Sequence, residues 1–175
     1  HPHINLATVT YLFKGEMLHR DSLGSEQLIC PGAINLMVAG SGIVHSERER
    51  PQTRGQTRSI EGLQLWLGLP EAVEEVAPEF IHYDAEQIPE THEDGSTLRV
   101  LMGTAFGITS PVKTFAETLF ISAEIIKGAS LSLPDNIDQL GVYVVQGKIE
   151  VNGTRLGDHH LIVLDSGSAH EICAL

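Results

Sequence analysis

Short runs of β-branched and aromatic residues, each closed by Gly, Pro, Asp or Ser, follow one another along the whole chain, and this cadence limits it to an all-β fold. "TVTYLF", "EMLH", "QLICPG", "INLMVAG" and "GIVHSE" come first; "LRVLMG", "ETLFISAEI", "ASLSLP", "LGVYVVQGKIEVNG" and "HHLIVLDSG" resume the pattern from Leu98 onward. Runs of that length and composition read as closely spaced antiparallel strands. No stretch keeps the period of a long helix, and "PEAVEEVAPEF" supports one short helical turn at most. Asp21-Ser22-Leu23-Gly24 suits a hairpin loop, because Asp can bond its own backbone and Gly tolerates positive φ.

An internal echo sets the architecture. Residues 10–17, "TYLFKGEM", align with 142–149, "VYVVQGKI", keeping Tyr and Gly at the same spacing, and residues 40–45 are echoed by 165–170, each ending on His. Repeats of this kind indicate tandem copies of one unit. The polar connector "EQIPETHEDGS" places the boundary, giving expected domains at 1–90 and 91–175.

Bulk properties narrow the partners. With 11 Lys plus Arg against 23 Asp plus Glu, the net charge of −12 repels a phosphate backbone, so direct nucleic-acid binding is not expected. Cys30 and Cys173 form no CxxC pair, which fits a reducing, cytoplasmic setting. No apolar run approaches the roughly 18 residues of a membrane span. The opening His and the apolar ending "EICAL" lead us to expect truncation at both ends. The polar stretch 48–60, with Arg48, Arg50, Arg54 and Arg58, reads as an exposed loop. In "GLQLWLGLP", Leu63, Leu65 and Leu67 share one face and Gln64 and Trp66 the other, with Trp66 expected in core or inter-domain packing.

Two short patterns carry chemistry. Side chains alternate along a strand, so His1 and His3 point the same way, as do His45 and Glu47. Each pair alone is compatible with an exposed or a satisfied core histidine. Together they offer three imidazoles and one carboxylate, a set suited to a borderline divalent ion such as iron(II) with open positions left for other ligands.

The segment from "HPHINLATVTYLFKGEMLH" through "GSGIVHSE", continued by "GLQLWLGLP", resembles the pirin family of bicupins, strongly over residues 1–69 and more loosely to the end. That resemblance implies two tandem double-stranded β-helix (cupin) units and one metal, most simply Fe(II), in the first of them. By motif its ligands are His1, His3, His45 and Glu47. It also implies a quercetin 2,3-dioxygenase-type reaction, in which a flavonol or similar aromatic is opened by dioxygen with loss of carbon monoxide and Glu47 takes the substrate's hydroxyl proton. The alternative implied by other members is a non-catalytic iron redox sensor acting through a protein partner. One departure is Ile4-Asn5-Leu6-Ala7 after the first histidines, where cupins often carry a carboxylate at position 7.

The second unit is expected to hold no metal, since the echo sets Leu133 and Asp135 against His1 and His3, and Ile172 against Glu47, leaving only His170. His159 and His160 are adjacent and on a strand would face opposite sides, so they are expected to be surface or turn residues. His19 is expected to pack or hydrogen-bond near the hairpin, and His82 and His92 to sit in connectors. Leu6, Phe13, Leu36, Met37 and Val44 read as core rather than pocket lining.

Overall fold

The computed structural model describes the whole chain except Asn136 and Ser166, the latter lying inside the second echo. The strands are β1 (Pro2–His3), β2 (Leu6–Lys14), β3 (Met17–Asp21), β4 (Glu26–Ile29), β5 (Ile34–Val38), β6 (Ile43–Arg48), β7 (Glu61–Gly68) and β8 (Glu79–Tyr83), then β9 (Glu90–Glu93), β10 (Ser96–Met102), β11 (Thr104–Ala105), β12 (Ile108–Thr109) and β13 (Phe120–Ile125). The last six are β14 (Ser130–Ser132), β15 (Leu140–Tyr143), β16 (Ile149–Val151), β17 (Thr154–Leu156), β18 (Leu161–Leu164) and β19 (Glu171–Ala174). Among the described residues the helical elements are short 3-10 turns, including Glu71–Val73 in the acidic stretch and Pro51–Thr53 in the arginine-bearing loop, and no helix is long and apolar enough to cross a membrane.

The chain separates into two compact units, the first comprising His1–Pro89, Leu101–Gly103 and Thr109–Phe120, the second Glu90–Val100, Thr104–Ile108 and Ile121–Leu175. In the first, two four-stranded sheets run β1-β6-β3-β4 and β7-β2-β5-β8. In the second, the order β14-β19-β16-β17 repeats the first of these, and β15 pairs β18 as β2 pairs β5. The echo in the sequence is therefore an echo in topology.

Alternation along β2, β5 and β7 divides the first unit. Ala7, Val9 and Tyr11 on β2 and Ile34, Leu36 and Val38 on β5 join Leu69, Ile88, Leu101, Met102 and Val112 in one apolar core. Removing each such aliphatic side chain from water contributes about 1.5–3 kcal/mol. The opposite face of the same sheet is polar. Thr8 pairs Trp66, while Thr10 pairs both Gln64 and Asn35, and Asn35 pairs His82, so these side chains share the face turned toward β1-β6-β3-β4. The His19 ring of β3 stacks on Phe80 of β8, with centroids 4.1 Å apart, which closes one sheet over the other. A smaller apolar layer of Met37, Ala39 and Ile43, with Leu6 and Phe80 against it, seals this interior. Phe13 packs on the main core, and Val44, 53% exposed, lines nothing.

One backbone crossing fixes the end of this interior. Asn5 N–H donates to the Gly40 carbonyl at 2.9 Å, and Ser41 N–H donates to the Val76 carbonyl at 2.9 Å. Gly40 has φ +52, and a Cβ built on it would lie 2.0 Å from the Val76 oxygen, so only glycine fits there.

Candidate metal centre

The first unit gathers its histidines through strand register. His3 pairs Ile43, and His1 and His45 exchange main-chain bonds, with the His45 N–H donating to the His1 carbonyl at 3.1 Å and the His1 amine to the His45 carbonyl at 2.9 Å. The three imidazoles converge, with Nε2 atoms separated by 2.8 Å for His1 and His3, 3.1 Å for His3 and His45, and 3.2 Å for His1 and His45. His3 and His45 are buried at 6% and 3% exposure, and His1 is exposed.

Hydrogen bonding cannot account for this triangle. A neutral ring nitrogen either donates or accepts, so among three mutually close nitrogens at least two play the same role and one edge is repulsive. One cation between them satisfies all three lone pairs. Nitrogens about 2.1 Å from an ion and at right angles about it stand about 3.0 Å apart, the spacing seen here. The residues present therefore fit a metal.

Glu47 lies two residues beyond His45 on β6, with His19 as its register partner on β3. Both carboxylate oxygens accept from Gln64 Nε2, at 3.0 and 2.9 Å, and the same amide donates to Thr10 Oγ1 at 3.1 Å. Possible donor atoms fall into two sets that share His45, His1–His3–His45 and His19–His45–Glu47, the atoms of each lying within 4.8 Å of one another. Burial would raise the Glu47 pKa, but hydrogen bonds from the His19 imidazole and the Gln64 amide, with the histidines nearby, outweigh it and hold the carboxyl below its ordinary range. Burial lowers the His45 pKa, opposed by Glu47 and reinforced by His19, His3 and the amino terminus, so the ring favours its neutral, ligating form. Its Nδ1 is buried with no hydrogen-bond partner among the described residues.

Sequence reasoning undervalued several neighbours. His19 packs and hydrogen-bonds as expected, its Nε2 lying 3.1 Å from Asp21 Oδ2, but its Nδ1 also comes within 4.0 Å of Glu47 Oε1. That contact depends on the β3–β6 register, which the sequence does not display. His82 and His92 are on strands β8 and β9 rather than in connectors, and His82 is bonded through Nδ1 to Asn35 Oδ1 and through Nε2 to Asp84 Oδ1. Trp66 is not core packing: it is 64% exposed and meets the His3 ring edge-on, with centroids 5.1 Å apart. It shares the site-facing side of β7 with Gln64, whereas Leu63 and Leu67 occupy the alternate face. Ala7 points into the main core, so a carboxylate at that position would not face the histidines.

In the second unit His170 Nε2 donates to the Asp165 carbonyl at 2.8 Å, and Nδ1 accepts from Asn152 Nδ2 at 2.9 Å. Both ring nitrogens are satisfied. His159 lies 3.4 Å from the Tyr143 hydroxyl, and His160 Nδ1 donates to the Asp158 carbonyl; both residues are exposed and lie in the turn between β17 and β18 rather than on a strand.

The Pirin family profile matches residues 1–67. A pirin-like protein of Caulobacter vibrioides is 38% identical over 168 residues, covering 95% of this chain and 58% of the relative, and mouse pirin is 33% identical over 178 residues, covering 98% and 60%. The crystal structure of quercetin 2,3-dioxygenase from Acinetobacter baumannii superposes with a TM-score of 0.91 at 30% identity, over 99% of this chain and 62% of that one. The chain thus spans a little over half the length of these curated relatives, and its fold is that of tandem cupins. The chain belongs to the pirin family.

Proposed function

We propose that this chain carries an oxygenase site of the quercetin 2,3-dioxygenase type, acting on flavonols or similar enol-bearing aromatics with dioxygen. His1, His3, His45 and Glu47 are the metal-holding residues, iron(II) is the occupant, and the site lies in an N-terminal cupin of residues 1–90, with 91–175 forming a cupin without metal. The supporting observation is the His1–His3–His45 triangle, whose facing nitrogens ask for a cation. The likeness to the Acinetobacter dioxygenase supports the reaction class.

A bound divalent ion supplies Lewis-acid charge that favours the ionised form of an enol oxygen and orients both reactants. The chain's own residues do the rest. Glu47, kept ionised, accepts the 3-hydroxyl proton of the substrate at a carboxylate oxygen, and Gln64 holds that carboxylate in place through its amide. Met37, Ala39, Ile43, Leu6 and Phe80 keep water out of the interior behind it.

The test is to load the protein anaerobically with iron(II), admit air with quercetin, and follow flavonol loss and carbon monoxide in wild type and His45→Ala. Catalytic loss in the wild type that vanishes in the variant supports the reading. One equivalent of tightly bound iron without turnover sinks the oxygenase and favours a redox sensor read by a protein partner.

A further inference from the structure

Trp66 is the largest exposed side chain beside the histidines, and it neither holds Glu47 nor packs in the apolar core. Its indole, 64% exposed, stands at 82° to the His3 ring with the two centroids 5.1 Å apart, so most of its surface is open beside the triangle. It lies on β7 two residues beyond Gln64, which holds Glu47. An aromatic of this size left mostly in water forgoes a large apolar burial, which a flat ring laid on its face would recover. The occupant's charge is limited as well, because the chain's net charge of −12 disfavours an anionic ligand.

We propose that Trp66 is the stacking platform that selects neutral, planar aromatic ligands and presents their ring oxygens to His1, His3 and His45. The inference rests on the oxygenase reading only for the identity of the arriving ring. Stacking itself requires no turnover.

The chain offers a direct probe, since Trp66 is its single tryptophan. Quercetin is titrated into the protein loaded with zinc, which is redox-inert, and into the metal-free protein, while indole emission and calorimetric heat are followed. Wild type, Trp66→Phe and Trp66→Ala are compared. The expected result is saturable one-to-one quenching in wild type, affinity weaker by about tenfold in Trp66→Ala, and recovery of most of it in Trp66→Phe. Zinc affinity stays equal in all three, which shows that the histidines keep their geometry. With iron loaded, KM for quercetin rises about tenfold in Trp66→Ala while kcat changes less than about twofold.

Unchanged affinity in Trp66→Ala, calorimetric binding without quenching, or no quercetin binding at all overturns the platform. The two readings also fail separately. Trp66-dependent binding without oxygen consumption sinks the oxygenase and leaves the platform standing, whereas turnover whose KM ignores Trp66 sinks the platform alone.

Discussion

His45 and His170 hold matching places in the sequence echo and are almost equally buried, at 3% and 7%, yet the two rings are set up for different work. His170 precedes β19 and spends one nitrogen as donor and the other as acceptor on Asp165 and Asn152. His45 lies within β6, with Nε2 facing two other imidazoles and Nδ1 without a hydrogen-bond partner among the described residues. A buried histidine with both nitrogens paired supports the fold; one whose nitrogen faces like nitrogens carries an electrostatic conflict that a cation resolves. Burial alone does not separate the two cases. Hydrogen-bond accounting does.

The sharpest way to break that contrast is to remove each ring in turn. His45→Ala is expected to abolish stoichiometric iron or zinc binding while leaving the metal-free protein folded, because relief of the facing nitrogens offsets part of the packing lost with the buried ring. Calorimetric metal titration beside thermal melting checks this, and retained one-to-one binding would refute the assignment. Gln64→Ala, which frees Glu47 from its amide, is expected to weaken metal binding by about 10–100-fold with the fold intact, measured by chelator competition.

The opposite signature is expected from His170→Ala. Metal binding stays unchanged, but the Asn152 amide and the Asp165 carbonyl lose their partner, at a cost of about 1–3 kcal/mol in urea unfolding. The smallest effect concerns acid. Burial raises the Asp21 carboxyl pKa, but His19 and the loop donors at Leu23 and Ser25 outweigh it, so its folded value lies below the ordinary 3.8. Its contribution is then complete above that ordinary value and fades as pH falls through the folded one. Asp21→Asn should therefore be less stable than wild type at neutral pH, with the gap narrowing as pH drops below about 4, which urea midpoints across pH 7 to 3 would show.

The strands and the tandem repeat were legible because alternation and turn chemistry are local, and Asp21 does cap its hairpin, its Oδ1 accepting from the Leu23 and Ser25 amides. Parity set His1 beside His3 and His45 beside Glu47, whereas the approach of His1 and His3 to His45 depends on the β1–β6 pairing. What the sequence concealed was register between strands and which face met which. Leu65 and Trp66 separate by parity, but parity does not say that the Trp66 side looks toward histidines rather than core. The pairing of His19 with Glu47 joins residues on different strands, and no local pattern announces it. The same limit applied to Ala7, whose side chain enters the apolar core, a fact settled by its neighbours Val9 and Val38 rather than by the residue itself.

Gly40 shows how far the centre depends on atoms that take no part in its chemistry. Its carbonyl receives the amide of Asn5, two residues after His3, and its missing Cβ leaves room for the Val76 oxygen. In a saturation library, position 40 should return glycine alone, and its variants would resemble ligand-deleted proteins although no donor atom had been touched. A loss of activity mapped there would report the distance between two strands, and a screen that scores residues by proximity to the metal would rank it far too low.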